Sequence, residues 1–315
     1  MTMNRRHLLW SFLALMLASA VGIAGSTETP TPGASDSAGE RFEGYVWLDV
    51  DGQPLPFQSD AAIEEYLLEA EIESSKKIGV GITAPRKLTL NRNGVRTHAA
   101  FKHVEESRRD VTDTVAGTKR FFREWRDSHD YDVAAYLLDR LLGLDRVPPT
   151  VPRMVNRTDG VVVMWLEGTV TQTYLRDNNI RPSNAARWGQ QMQDIYIFDN
   201  LVANRDRNLG NLLFDQNWHI WSIDCSRCFG TSKELLYPDT LGHCERGLWQ
   251  ALQLLDETQL EEALGDYLTI FEIRALLARR DEMVERIQKK IDQIGEIHVL
   301  YEFQQPTEPA PWAKD

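Results

Sequence analysis

Apolar and polar positions alternate with two different periods along this chain, and the switches between them lay out its elements. Residues 42–50 alternate as a strand does. Ser59 or Asp60 then caps a predicted helix running to about Ser74, with Ile63, Leu67, Leu68 and Ala70 on its apolar side. Two strands are predicted at 87–90 and 95–104, joined by the turn Asn91-Arg92-Asn93-Gly94. Across 130–144, apolar residues at 133, 137, 141 and 144, and again at 134, 138 and 142, predict a helix with a broad buried face. Gly143 and the pair Pro148-Pro149 end it. Residues 161–166 read as a buried strand with a polar exit at Glu167-Gly168. Trp188, Met192, Ile195 and Phe198 fall at helical spacing within 183–200 and are expected in the core. The apolar run from 211 to 224 is broken by Asp215-Gln216-Asn217, which predicts two short strands around a tight turn. From about Leu248 to Gly295, Leu and Ile repeats at three and four predict helices, with a charged outer face over 281–290.

The ends have a different character. Arg5-Arg6-His7 precedes an uncharged, mostly apolar run over 8–24 that closes in small residues, the order of an export signal. The alternative is an uncleaved anchor, since such a run is just long enough to span a bilayer. Residues 26–40 are mostly Ser, Thr, Pro, Gly and Ala and predict a flexible tether, and 304–315 a frayed tail.

Composition narrows the function classes. The chain has 315 residues, 42% of them hydrophobic, enough for one large domain or two lobes. Its formal net charge is −12; without residues 1–26, which hold two Arg and no acid, the balance is 33 basic against 47 acidic, or −14. Such a chain is not expected to hold nucleic acid or anionic lipid by bulk electrostatics.

The candidate chemistry lies in residues 199–229, DNLVANRDRNLGNLLFDQNWHIWSIDCSRCF. Asp206 is followed by Asn211 and then Asp224, a set suited to phosphoryl transfer. One carboxylate accepts the proton of an attacking hydroxyl, while an amide and a second carboxylate hold the cation bridging the phosphates. The predicted hairpin makes Asn211 and Asp224 near neighbours at its open end. Upstream, Gly79 and Gly81 sit ahead of a strand that presents Phe101 on one face and Lys102 on the other. A Gly-rich loop before a Lys-bearing strand is the kinase arrangement, with the lysine on the phosphates.

Asn204, Asp206, Arg207, Asn211 and the Ile223-Asp224 pair resemble the catalytic segment of the atypical kinases with a phosphatidylinositol 3/4-kinase-like fold, a group including the HipA toxin kinases and the secretory-pathway Golgi casein kinases. The run AAYLLDRLLGLDRVPPT resembles a helix and its exit in the same group. The resemblance implies an α+β, two-lobed kinase-like fold, with a small mixed N-lobe over 41–165 and a mostly helical C-lobe over 166–303. It implies ATP with Mg or Mn, Asp206 as base, Asn211 and Asp224 as metal ligands, and nucleotide contacts from Gly79, Gly81 and Lys102. Asp132 stands where the group places a Glu that pairs with the strand lysine, with Glu124 as a fallback; Leu166 and Glu167 stand where a backbone meets adenine. The implied acceptor is a hydroxyl on a protein or a glycan in an extracytoplasmic or secretory compartment. Asn208, where the group often has His, leaves the subgroup open; Asp132, one methylene short, together with the scarcity of ATP outside a membrane, leaves as the alternative a non-catalytic scaffold that binds nucleotide or a partner protein.

Cys225, Cys228 and Cys244 lie within twenty residues of one another. In an exported chain one disulfide is expected, with Cys228–Cys244 more relaxed than the short Cys225–Cys228 loop. A zinc site from these three and His243 is the other arrangement the spacing permits.

Overall fold

Lys102 stands at the end of the central strand of a five-stranded antiparallel sheet. Its strands are Glu71–Lys77 (β1), Arg86–Arg92 (β2), Val95–Lys102 (β3), Thr150–Pro152 (β6) and Val161–Met164 (β7), in the order β1-β2-β3-β7-β6. The turn between β2 and β3 is set by Asn93 and Gly94, both at positive φ (55° and 83°), and the register pairs Arg92 with Val95. Helix α1, Asp60–Glu69, covers one face of this sheet. Its N-cap Ser59 accepts from the Ala62 amide, and Ile63, Tyr66 and Leu67 pack on Leu88, Leu90, Ala99 and Phe101. Each Ile, Leu or Phe among these contributes about 1.5–3 kcal/mol on full burial.

The computed structural model describes residues 46–79, 85–115, 117–304 and 309–312. The predicted export run, the tether and Gly81 lie outside them. Among the described residues, no helix is long and apolar enough to cross a membrane.

Between β3 and the next helix the chain makes a long ribbon, Glu105–Val115 (β4) paired with Thr118–Ser128 (β5). Helix α2, Asp130–Leu141, packs against β6 and β7 on one side and against α6 (Glu257–Leu264) on another. The chain leaves β7 through residues 165–169 and enters a second sheet at Val170–Thr171 (β8), which pairs with Leu212–Phe214 (β9); β9 in turn pairs with Ile220–Ser222 (β10). Helices α3 (Gln172–Asp177) and α4 (Ala185–Leu201) lie between β8 and β9. The remaining helices are α5 (Arg246–Leu254), α6 and α7 (Ile270–Ile294). Two-residue strands at Cys244–Glu245 (β11) and Leu300–Tyr301 (β12) pair in parallel. The largest apolar core joins α2, α4, α5, α6 and α7 through residues such as Tyr131, Leu138, Phe198, Leu248, Leu260 and Met283. The expected α+β architecture, a sheet-bearing N-terminal part and a helical C-terminal part, is the one observed.

Local readings differ in three places. Helix α1 stops at Glu69 rather than near Ser74, because residues 71–77 add an edge strand to β2. That strand, Glu-Ile-Glu-Ser-Ser-Lys-Lys, has few apolar residues, so its period is hard to tell from a polar helix end. Within 46–50 there is a bridge, Leu48 to Pro54, where a strand is predicted, because the backbone turns at 50–52. The ribbon β4–β5 was not anticipated: its residues are mostly exposed on both faces, so no apolar alternation marks it.

Candidate active site

The sheet delivers Lys102 to a junction of three segments that are far apart in sequence. Its Nζ donates to Asp132 Oδ2 at 2.5 Å and to Asp224 Oδ1 at 2.7 Å. Asp132 comes from the first turn of α2, and Asp224 from the residues just past β10. Asp132 also accepts from the Cys225 amide through Oδ1 at 2.9 Å, so one buried carboxylate ties the lysine and the backbone beside Asp224 together. The methylene missing relative to Glu does not prevent contact. Glu124, the fallback partner, is instead on β5 and lines a separate cavity.

Charge explains why the triad holds. Burial alone would lower the Lys102 pKa, but Asp132 and then Asp224 outweigh it and keep the amine protonated. Lys102 in turn holds Asp224 below the usual carboxylate range, while burial pushes Asp132 up against the pull of the lysine. The Asp224 side chain keeps 43% of its surface open, against 7% for Asp132. Asp224 is therefore the more open of the two carboxylates. Its backbone is left-handed, with φ 63°, a conformation that costs a non-glycine residue free energy and recurs at functional sites.

The hairpin performs as predicted. Leu212 pairs with Ser222, and the Ile223 amide donates to the Asn211 carbonyl at 3.1 Å, which sets Asn211 and Asp224 at the same open end. The Asn211 amide nitrogen donates to the Asp206 carbonyl at 3.1 Å. A carbonyl only accepts, so this bond fixes which way the amide points and leaves Oδ1 with no partner among the described residues. An amide oxygen and a carboxylate are hard donors that suit Mg or Mn, whose remaining positions substrate phosphates and water fill. The donor set therefore fits the expected cation.

Arg207, which the sequence offered only as part of a motif, is the brace of this loop. It makes a forked contact with the buried Asp199 (2.8 and 2.9 Å) and also reaches the Asn211 carbonyl and the Ser222 hydroxyl. Asn204 joins from the other side, donating to Asp199 and accepting from the Asp206 amide. Asp206 is thereby held with its carboxylate partly exposed, at 42%. Burial raises its pKa, and Arg227 opposes that rise.

Arg227 and Asp127 were missed. Arg227 bridges Asp127 at 2.7 Å and Asp206 at 3.2 Å, and its guanidinium lies over Trp125. No sequence signal links positions 127, 206 and 227, because the bridge exists only where the ribbon β4–β5 folds over the segment after Asp224. A third omission is Gly160, just before β7. A Cβ there would sit 2.4 Å from the Lys102 carbonyl and 2.7 Å from the Phe101 ring, so only glycine lets β7 begin beside the lysine.

Other expected residues are less engaged. A Cβ at Gly79 would meet nothing within 4 Å, so the protein itself imposes no glycine there; its partner Gly81 lies outside the described residues. Leu166 is buried and its carbonyl accepts from the Thr169 hydroxyl at 2.8 Å. The Glu167 carboxylate bonds His98 and lies 3.5 Å from Lys87, which pins the crossing between the two sheets to β2 and β3. The predicted Cys228–Cys244 disulfide is not present. All three cysteines are buried thiols, and the Cys228 thiol is engaged with Cys225, whose carbonyl also accepts the Cys228 amide. The zinc arrangement is not formed either: among the described residues no three His, Cys, Asp or Glu side chains converge on a point.

Comparison with known proteins bears on this geometry. The family model described as Golgi casein kinase, C-terminal, Fam20 matches residues 58–182, the part carrying Lys102 and Asp132. Residues 199–229 lie beyond that match. The structure of hydra Fam20 with sugar superposes with a TM-score of 0.60 at 16% identity, covering 78% of this chain and 94% of that one. A Golgi casein kinase structure gives 0.55 at 17% identity, covering 80% and 82%. The chain has the Fam20 kinase fold. A further Golgi casein kinase structure, with Mn/ADP bound, gives 0.52 at 16% identity over 76% of this chain and 78% of that one. No curated relative matches the sequence. These comparisons support the Golgi casein kinase branch of the resemblance and not the broader grouping with phosphatidylinositol 3/4-kinases and HipA toxins. Lys102, Asp132 and Asp224 meet where the five-stranded sheet joins the helical part.

Proposed function

We propose that this protein is an ATP-dependent phosphotransferase that moves the γ-phosphate to a hydroxyl on a protein or a glycan. The observation carrying the reading is Lys102 held between Asp132 and Asp224, with the Asn211 amide oxygen and the Asp206 carboxylate at the same junction. In this reading Lys102 binds the phosphates, Asp132 fixes the lysine, Asn211 and Asp224 hold Mg or Mn, and Asp206 takes the proton of the attacking hydroxyl. The bound cation supplies neutralisation of the charge that develops on the phosphate oxygens. Gly79 and the backbone of 166–167 complete the nucleotide contacts, and the setting is an extracytoplasmic or secretory compartment. One similar structure holds Mn/ADP and another a sugar, which favours this cofactor and keeps the glycan acceptor in view. One ground of the scaffold alternative, that Asp132 is too short to reach, is answered by its 2.5 Å contact with Lys102; the other, the scarcity of ATP outside a membrane, turns on the compartment.

The test is phosphate transfer from labelled ATP to a panel of peptide and glycan acceptors with Mg or Mn. Transfer by the wild type that Asp206→Asn reduces by roughly a hundredfold or more is the expected result, the scale of a lost general base. A nucleotide-induced thermal shift with no transfer to any acceptor would favour the scaffold.

A further inference from the structure

A cavity of about 390 Å³ opens between the ribbon β4–β5, the first turns of α2 and α7, and the segments at 205 and 230–231. Arg108, Arg109, Glu124, Arg126, Arg205 and Glu272 supply its charged lining. Four of these are cations, but Arg108 and Arg126 already pair with carboxylates of the ribbon, which leaves Arg109 and Arg205 as the cations without an ion pair among the described residues. None of the residues assigned above to nucleotide or cation lines it.

Partners already present take up only part of the donor capacity of this wall. Glu272 caps α7 through Thr269 and accepts from the Tyr131 hydroxyl. Arg108 pairs with Glu106 and Arg126 with Glu105. Arg109 faces Glu124 across the ribbon without an ion pair to it or to any other described residue. Arg205 is the decisive group. It is 94% buried (6% exposed), its Nε donates to the Arg227 carbonyl at 3.1 Å, and its Nη1 has no hydrogen-bond partner. Burial depresses its pKa, against the opposing pull of Cys228, Tyr131 and Asp113. A buried guanidinium with an unmade bond is costly unless something outside the chain completes it.

We propose that this cavity binds a phosphate-class oxyanion, at a site separate from the nucleotide cleft. The donors come from both ribbon strands and from the loop before Asp206, so they border the cavity from more than one side. A tetrahedral dianion accepts along all of them, whereas a planar carboxylate satisfies one fork. The site would be connected to the candidate base through Arg205 and Arg227, since Arg227 bonds Asp206. The binding does not depend on the phosphotransferase reading, because no residue of that reading takes part.

The experiment is titration of the purified full chain with inorganic phosphate, glycerol phosphate and acetate, followed by calorimetry at constant ionic strength. Saturable binding of phosphate or glycerol phosphate, tighter than acetate, is the expected result; the preferred one of the two identifies whether free phosphate or a monoester is the source. Arg109 is exposed, so Arg109→Glu folds, and it should weaken binding at least about tenfold, the loss of one charge-assisted bond with added repulsion. Arg205→Lys, which keeps the charge and loses the fork, should weaken it similarly. Binding that Lys102→Met abolishes and Arg109→Glu leaves unchanged would put the anion in the nucleotide cleft and overturn the proposal. No binding above the acetate level would overturn it as well.

Discussion

Replacing Asp132 tests whether one carboxylate both fixes the lysine and anchors the backbone beside Asp224. Asp132 is 5% exposed and makes two bonds, to Lys102 at 2.5 Å and to the Cys225 amide at 2.9 Å. Asp132→Ala removes both. Breaking a buried pair costs about 3–5 kcal/mol when the partner is stranded, but Lys102 keeps Asp224, so the lower end applies. The stranded Cys225 amide accounts for about 1–3 kcal/mol of that loss. A net loss of about 3 kcal/mol follows, close to a 1 M drop in urea midpoint for a slope near 3 kcal/mol per M. Asp132→Asn keeps an oxygen for the Cys225 amide and should lose about half as much. Asp132→Glu restores the residue type that the resemblance led us to expect, yet it inserts a methylene into a contact already at 2.5 Å, and should cost about 1–3 kcal/mol through overpacking. Urea titration of the four proteins, each at the same pH, measures all three differences. A loss below about 1 kcal/mol for Asp132→Ala, or equal losses for Ala and Asn, would refute the double role. A stabilised Asp132→Glu would show that the site is not fitted to the shorter acid.

Other outcomes follow from separate features. Gly160→Ala should destabilise the fold by about 1–3 kcal/mol and weaken nucleotide binding, because the new Cβ meets the Lys102 carbonyl at 2.4 Å; unchanged stability would mean that β7 can shift freely. Asp139 is fully buried and its pKa is raised to about 7, first by desolvation, so the folded state holds a proton that the unfolded state releases above about 4. Its contribution is full at low pH and is lost as pH rises from about 4 to 7, on the order of a few kcal/mol; the stability gap between wild type and Asp139→Asn should narrow over that window, and a gap that widens reverses the sign and defeats the argument. Thiol titration of the denatured protein without reductant should find three reactive groups, whereas a Cys228–Cys244 bridge would leave one.

Local order in this chain was legible where burial imposes a period. The helix at α2, the turn at Asn93-Gly94 and the hairpin β9–β10 each repeat apolar residues or place turn residues at fixed offsets, and each was read from the sequence. So were Lys102, Asn211 and Asp224 as candidates, because the residue types phosphoryl transfer needs recur at recognisable spacings, while Asp132 entered only through the family resemblance. The ribbon β4–β5 left no such trace, since both of its faces are largely solvated and its pairing is carried by backbone groups that every sequence shares. With the ribbon out of sight, the Asp127–Arg227–Asp206 bridge and the arginine-lined cavity were out of reach too. The cysteine pairing failed for a related reason: spacing states which thiols are near in sequence, while the turn that joins Cys225 to Cys228 depends on how that segment packs. The chain by itself thus determined its elements and the chemical types at the junction, through short-range periodicity. Only the tertiary structure decided which charges neutralise one another, because those partners sit up to 122 positions apart and meet solely through the packing of the sheet against the helical part.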